Sequence, residues 1–282
     1  MQKGITQVIL NSLRCPKCNS EFELQNGGKS LVCKSTLSKR HCFDISSDGY
    51  VNFALADSKS GDSKDAVRAR TAFLDSGAYS KVSDTLSELV FKYSPDGAFV
   101  IDAGCGEGYY SCRLAEQGAF VFGVDISKNA VMYSSKRAKR GAAENSLFAV
   151  SSVFSIPVAD GTADAVVNVF APCVEAEYSR ALRDGGVLIV VQAAPEHLMG
   201  LKRKLYDTVY ENEERADIPE GMKLVEERRL TYDISVESNE LIMALFSMTP
   251  YYWRTSLKDK DKLVGLEKLD TTVDMIFSVY QK

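Results

Sequence analysis

No run in this 282-residue chain approaches eighteen consecutive apolar residues, so no membrane-spanning helix is expected. The N-terminus, MQKGITQVILNSLRCPKC, has neither a long apolar stretch nor a small-residue cleavage site, which argues against a secretory signal. The expectation is a soluble, cytoplasmic protein with no membrane partner. In that reducing compartment the seven cysteines are not expected to form a disulfide framework; clustered ones point to metal and scattered ones to buried thiols. Histidine is scarce, with two in the chain, and no internal repeat occurs. There is no excess of positive charge either: the net charge of -4 argues against a protein that simply coats nucleic acid.

The apolar fraction of 45% suffices for one large domain with a satellite. Charge is unevenly spread, since residues 1–42 carry seven Lys and Arg against Glu21 and Glu23 alone. The stretch ADSKSGDSKDA, from Ala56 to Ala66, contains nothing apolar larger than alanine and reads as an exposed linker. Three parts follow: residues 1–55 as a small β module, 56–70 as linker and 71–282 as the main domain. In the first part SEFEL, KSLVC and GYVNF read as short strands separated by turns such as Asn26-Gly27-Gly28 and Asp48-Gly49.

The main domain alternates strand and helix. AFVIDAG (98–104) is an apolar run ending in glycine, followed by the helical YYSCRLAEQG and a second strand, AFVFGVDIS. Ser127 is placed to cap the next helix, which runs to Gly141. SLFAVSS, ADAVVNVF and VLIVVQAA read as further strands, with VEAEYSRALRDGG as helix and turn between the last two. Such alternation implies an α/β fold in which a parallel sheet is covered by helices on both faces. Val273, Met275, Phe277 and Val279 alternate with more polar neighbours, as in a half-buried strand.

Within VIDAGCGEGYY, Gly104, Gly106 and Gly108 directly follow the first of these strands. A backbone that turns sharply and lets a ligand touch it needs positions without side chains. A dinucleotide loop would want its third glycine where Tyr109 stands, so the D-x-G-x-G-x-G spacing from Asp102 suits a nucleoside without phosphates better. Seventeen residues after Gly108, Asp125 ends the second strand, where a carboxylate can accept hydrogen bonds from both ribose hydroxyls. Together these features resemble the S-adenosylmethionine site of Rossmann-like class I methyltransferases. The resemblance implies that Asp102 meets the methionine half, that the glycine loop passes beneath the sugar and that Asp125 holds the ribose.

Cys15-Pro-Lys-Cys18 has the knuckle spacing of a zinc site, and Cys33 supplies a third ligand. Spacing leaves either His41 or Cys42 as the fourth. Four such ligands in a segment too short to bury its own core describe a structural zinc with no open position.

CPKC, HCFDISSDGYVNF, RTAFLDSGAYSKV, VIDAGCGEGYY, FAPC, PEHLMGLK and MTPYYWR occur in this order over nearly the whole chain. Their sequence and separation resemble the RlmA family, bacterial methyltransferases that modify N1 of a guanine in large-subunit ribosomal RNA. The resemblance implies one structural zinc on Cys15, Cys18, Cys33 and His41, although this chain carries about four extra residues, STLS or a neighbour, before the histidine. It also implies cofactor contacts from Tyr79, Tyr110, Ser111 and His197, and a homodimer. Phe170, Ala171 and Pro172 follow the fourth strand, where such enzymes hold the target base, and Phe170 could stack on it. N1 of guanine is reachable only in an unpaired base, so a hairpin loop of 23S ribosomal RNA is the expected substrate.

Lys17, Lys29, Lys34, Lys39 and Arg40 would grip the RNA backbone, with Lys202, Arg203 and Lys204 extending the track. No residue is identified as the acceptor of the N1 proton. Two other readings compete: a small-molecule methyltransferase with the zinc module as a lid, and a zinc-ribbon binding protein that holds the cofactor without chemistry.

Overall fold

The computed structural model describes residues 5–36, 39–54, 61–141, 143–212 and 218–282. The N-terminal segment runs through α1 (Gln7–Ser12), β1 (Phe22–Gln25), β2 (Ser30–Cys33), β3 (Cys42–Asp44) and β4 (Val51–Asn52). Helices α2 (Lys64–Asp75) and α3 (Ser80–Tyr93) lead into the alternating region. This comprises β5 (Phe99–Ala103), α4 (Tyr109–Glu116), β6 (Phe120–Asp125), α5 (Lys128–Arg140), β7 (Ser146–Val150), β8 (Ala163–Val169), α6 (Glu175–Ala181) and β9 (Leu182–Ala193). The chain closes with α7 (Met199–Leu205), β10 (Lys223–Val236), α8 (Asn239–Ser247), α9 (Leu257–Asp261) and β11 (Leu269–Gln281).

β1, β2 and β3 form a small antiparallel sheet, and the other eight strands form one sheet in the order β10-β11-β9-β8-β5-β6-β7-β4. The expected strands of the main domain all appear, and Ser127 caps α5 by accepting from the Ala130 amide. β4 to β9 pair in parallel, but β11 runs antiparallel to both β9 and β10, so the sheet is mixed rather than parallel throughout. β11 also departs from the half-buried strand its alternation suggests, because it lies between two neighbours and is buried on both faces. Its polar positions are accommodated by pairing. Asp274, fully buried, accepts from both Arg229 nitrogens at 2.9 and 2.7 Å and from the Thr231 hydroxyl at 2.7 Å. Those hydrogen bonds, Arg229's foremost, hold its pKa down at about 2.

Side chains alternate across the sheet and feed two cores. Val100 and Val121 pack with Val82, Leu86 and Leu89 of α3, Leu114 of α4 and Ile242 and Leu245 of α8. Phe99, Ile101, Phe122 and Val124 point the other way, to Ile9 of α1, Tyr178 of α6, and Phe22 and Leu31 of the small sheet. Helices thus close one face as expected, while the other is closed partly by the N-terminal β segment. GYVNF joins the large sheet instead: its Val51 and Asn52 pair with Ala149 and Val150 at the sheet edge, while Val51 also bridges Ile45 and Phe53 packs on Phe22 and Phe43. Of the stretch expected as linker, residues 56–60 lie outside the described residues, and from Lys64 onward it is helical because Ser63 caps α2 by accepting from the Ala66 amide.

Candidate active site and metal cluster

β5 ends at Ala103, and the chain must reverse at once to begin α4. Gly104, Gly106 and Gly108 take φ values of +86°, +54° and +81°, where a side chain is strained. Space is equally restrictive: a Cβ on Gly104 would stand 2.5 Å from the Ala171 Cβ, and one on Gly108 2.7 Å from the Ser134 Cβ. The loop therefore offers bare backbone to a ligand, with Gly108 packed beneath it against α5.

Two carboxylates flank this loop. Asp125 is fixed by two backbone amides, Gly106 N–H to Oδ2 at 3.0 Å and Ser127 N–H to Oδ1 at 2.7 Å, yet each oxygen retains a lone pair for a further donor. Asp102 is 2% exposed and accepts from Ser111 Oγ at 2.5 Å. Burial pushes its pKa up to about 7, against the Ser111 hydrogen bond, and the charges of Asp125 and Glu107 add to the rise.

A cavity of about 830 Å³ opens above the loop. It brings together Tyr79, Asp102, Gly104, Gly106, Tyr110 and Asp125 with His197, Phe170 and Pro172 from the far wall. Two expected residues do not line it: Gly108 lies below the loop, and Ser111 acts only through Asp102. Phe170 takes a positive φ of 55° and is 51% exposed as a residue, its ring stacked on His197 with centroids 6.0 Å apart. The turn behind it is held at the Pro172 carbonyl, which accepts from Tyr178 Oη at 2.8 Å and Asn168 Nδ2 at 3.1 Å.

Sequence reasoning missed several wall residues. Arg70 of α2 reaches over Gly106 and pairs with Asp62 at 2.6 Å; it lies in the RTAFLD stretch, whose residues give no sign of this role. Glu107, 3% exposed and 3.4 Å from Arg137, sits inside the glycine motif itself. Asn212 carries no signal in the sequence; its amide donates to the carbonyls of Ala194, Pro195 and His197 at 2.9, 3.3 and 3.2 Å. Met248 to Tyr251, from the MTPYYWR stretch, complete the wall.

In the N-terminal segment the ligand atoms of Cys15, Cys18, Cys33 and His41 all lie within 4.8 Å of one another. His41 Nδ1 is 3.5 Å from Cys15 Sγ and 3.6 Å from Cys33 Sγ, and the Cys18 and Cys33 sulfurs are 3.7 Å apart. A tetrahedron with zinc–sulfur bonds of about 2.3 Å has sulfur–sulfur edges of about 3.8 Å, so the donor set fits. His41 belongs to the cluster and Cys42 does not, its exposed thiol lying 4.0 Å from Asp44 Oδ1. Of the inserted STLS residues, Leu37 and Ser38 lie outside the described residues. Three Phe rings, Phe22, Phe43 and Phe53, pack behind the cluster with centroids 5.1 to 5.8 Å apart.

The basic residues divide. Lys17 and Lys29 are exposed; Lys34 pairs with Glu21 at 3.1 Å, and Arg40 pairs with Glu23 and donates to the Cys33 carbonyl. Such surface pairs are worth little and can open for a phosphate. Lys39 and Arg40 do not line the cavity. Lys202 is no part of a surface track: it is 8% exposed and donates inward to the Tyr210 carbonyl and Asn212 Oδ1 at 3.0 and 2.8 Å.

A mixed sheet with a bare glycine turn after β5 and an acid ending β6 defines a class I, Rossmann-like methyltransferase that uses S-adenosylmethionine. Residues 95–248 match the family described as Methyltransferase domain. By fold, the chain is similar to a Bacillus halodurans crystal structure named as a "putative methyltransferase", with a TM-score of 0.50 at 14% identity, covering 71% of this chain and 98% of that one. The Bacillus subtilis protein named "Putative 23S rRNA (guanine-N(1)-)-methyltransferase YxjB" is 29% identical over 281 residues, 95% of this chain and 96% of its own length. The 23S rRNA (guanine(748)-N(1))-methyltransferase of Streptomyces fradiae is 34% identical over 199 residues, 68% of this chain and 67% of its own. The chain belongs to this family of 23S rRNA (guanine-N1)-methyltransferases.

Proposed function

We propose that this protein transfers a methyl group from S-adenosylmethionine to N1 of a guanine in a hairpin loop of 23S ribosomal RNA. The observation that carries the reading is that one cavity contains both halves of the reaction, the glycine loop with Asp125 on one side and Phe170 to Pro172 on the other. The relatives named for this activity support the choice of base and RNA.

S-adenosylmethionine, when bound, supplies a methyl group activated by the sulfonium. The transfer is an in-line displacement, so the protein's chief task is to align the nucleophilic nitrogen with that methyl and keep water out. Asp125 accepts the ribose hydroxyls, Asp102 faces the methionine half, and Tyr79, Tyr110 and His197 close that end. The exposed face of Phe170, backed by His197, stacks on the extruded guanine, and Pro172 bounds it. One structural zinc, held by Cys15, Cys18, Cys33 and His41, braces the N-terminal segment; with four protein ligands it has no open position for chemistry. That segment, residues 1–55, grips RNA phosphates through Lys17, Lys29, Lys34, Lys39 and Arg40, while residues 71–282 bind cofactor and base. A homodimer, located in the cytoplasm, completes the reading.

The test is transfer of tritiated methyl to protein-free 23S ribosomal RNA, followed by primer extension, which stops where N1 methylation blocks pairing. Label in RNA with a single strong stop at a loop guanine is expected. Label in small metabolites alone, or none anywhere, overturns the assignment.

A further inference from the structure

Two large aromatic side chains near the cavity mouth have no role in the site described above. Trp253, the chain's one tryptophan, is 81% exposed, and Tyr210 is 78% exposed. Each stands two residues from a wall residue of the cavity, Trp253 from Tyr251 and Tyr210 from Asn212. Both are mounted on firm supports. Trp253 meets Tyr252 edge-on at 5.0 Å, Tyr252 packs on the buried Phe246 at 5.0 Å, and the Lys260 ammonium sits 4.1 Å over the Tyr252 ring. The backbone at Tyr210 is held through its carbonyl by the buried Lys202 ammonium at 3.0 Å.

The two loops are also tied to each other. Tyr206 Oη hydrogen-bonds Thr255 Oγ1, the Tyr206 and Tyr251 rings meet edge-on at 6.2 Å, and Lys262 Nζ donates to the Leu205 carbonyl at 2.8 Å. They therefore form one rim on the side of the cavity lined by Asn212 and by Met248 to Tyr251. Cations accompany the aromatics. Arg254 and Lys258 are exposed; among the described residues Arg254 forms no ion pair, whereas the Lys258 charge acts on the neighbouring Asp259, and Asp207 and Glu211 are acids exposed on the same rim. Exposed aromatic faces beside exposed cations suit single-stranded nucleic acid, whose bases stack while its phosphates meet the charges.

We infer that this rim is a second RNA contact, in which nucleotides flanking the target guanine stack on Trp253 and Tyr210 while Arg254 and Lys258 meet their phosphates. The inference rests on the proposed function and adds to it a substrate surface separate from the basic N-terminal segment. It accounts for a tryptophan that touches the fold at the Tyr252 ring and leaves most of its surface in solvent.

The experiment uses the full chain, protein-free 23S ribosomal RNA and the variants Trp253→Ala, Tyr210→Ala and Trp253→Phe. Trp253→Ala is expected to raise the KM for RNA between about fivefold and a hundredfold, the span of one lost base stack. The dissociation constant for S-adenosylmethionine should stay at the wild-type value, and Trp253→Phe should recover most of the RNA affinity. An unchanged KM in Trp253→Ala and Tyr210→Ala overturns the inference while leaving the proposed function standing. So does a Trp253→Ala protein with an altered oligomeric state and an unaltered KM, which would make the rim a contact between copies. A wild-type chain that binds the cofactor and leaves RNA unlabelled removes both readings together.

Discussion

Nε2 of His197 and the hydroxyl of Tyr79 lie 3.3 Å apart across 118 residues of sequence, and the polarity of that contact is set from behind the ring. The Asp274 amide donates to His197 Nδ1 at 3.2 Å, so Nδ1 is an acceptor and the neutral ring carries its proton on Nε2. Nε2–H then donates to Tyr79 Oη. The phenolic proton of Tyr79 is left free to donate into the cavity.

Burial lowers the His197 pKa from 6.5 to about 4, so the ring is neutral wherever the protein works. A histidine whose folded pKa lies below its unfolded value contributes stability that is complete above about pH 6.5 and is lost as pH falls toward 4. The loss attributable to this ring is at most about 3 kcal/mol. Denaturant unfolding of wild type and His197→Gln between pH 4 and 7 should show the variant losing less over that window; parallel pH profiles would refute the assignment.

Asp102 works in the opposite sense. Its pKa is raised from 3.8 to about 7, so the folded state is favoured below pH 4 and loses that advantage as pH rises through 7, when a buried carboxylate must ionise. Asp102→Asn keeps an acceptor for Ser111 Oγ and removes the charge. In the absence of cofactor the variant is expected to be more stable than wild type at pH 8, by an amount on the order of 1 to a few kcal/mol, and to bind S-adenosylmethionine at least tenfold more weakly. Calorimetry and thermal unfolding check both; a variant that is less stable and binds normally contradicts the role given to Asp102.

Much of this site was legible because its chemistry is local in sequence. The glycine turn and Asp125 declare themselves by residue type and order, and the Cys15-x-x-Cys18 knuckle by spacing. What could not be read depends on distant segments meeting. Asp274 and Ser278 look like the solvent side of a half-buried strand; only the placement of β11 between β9 and β10, with Arg229 opposite, makes them interior. Lys202 reads as a surface cation beside Arg203 and Lys204, yet the carbonyl of Tyr210 and the side chain of Asn212 draw it in. Asn212 has no motif at all, because its partners are the backbone carbonyls of residues 194, 195 and 197.

The close approach of Gly104 and Ala171 couples the glycine loop to the turn that presents Phe170. Gly104→Ala places a Cβ 2.5 Å from the Ala171 Cβ and adds the strain of a left-handed alanine, about 1–2 kcal/mol. Cofactor affinity and turnover should both fall, turnover by more than tenfold. The double variant Gly104→Ala, Ala171→Gly removes the collision and leaves the strain, so it should recover part of the loss; no recovery in single-turnover methylation would show that the clash is not the cause.

The four-ligand cluster separates cleanly from its neighbour Cys42. If zinc is held by Cys15, Cys18, Cys33 and His41, then Cys33→Ser should lose one equivalent of metal per chain by mass spectrometry. The consequence should reach beyond the small sheet, because Phe22 and Leu31 help close one face of the large one. A fall in Tm on the order of 10 °C is expected, a few kcal/mol for a chain of this size, together with exposure of the Phe22, Phe43 and Phe53 rings. Cys42→Ser, on an exposed thiol outside the cluster, should leave metal content and Tm as they are. Metal lost with Cys42→Ser as well as with Cys33→Ser would mean that the fourth ligand is the other member of the His41-Cys42 pair and that this segment closes around its metal differently.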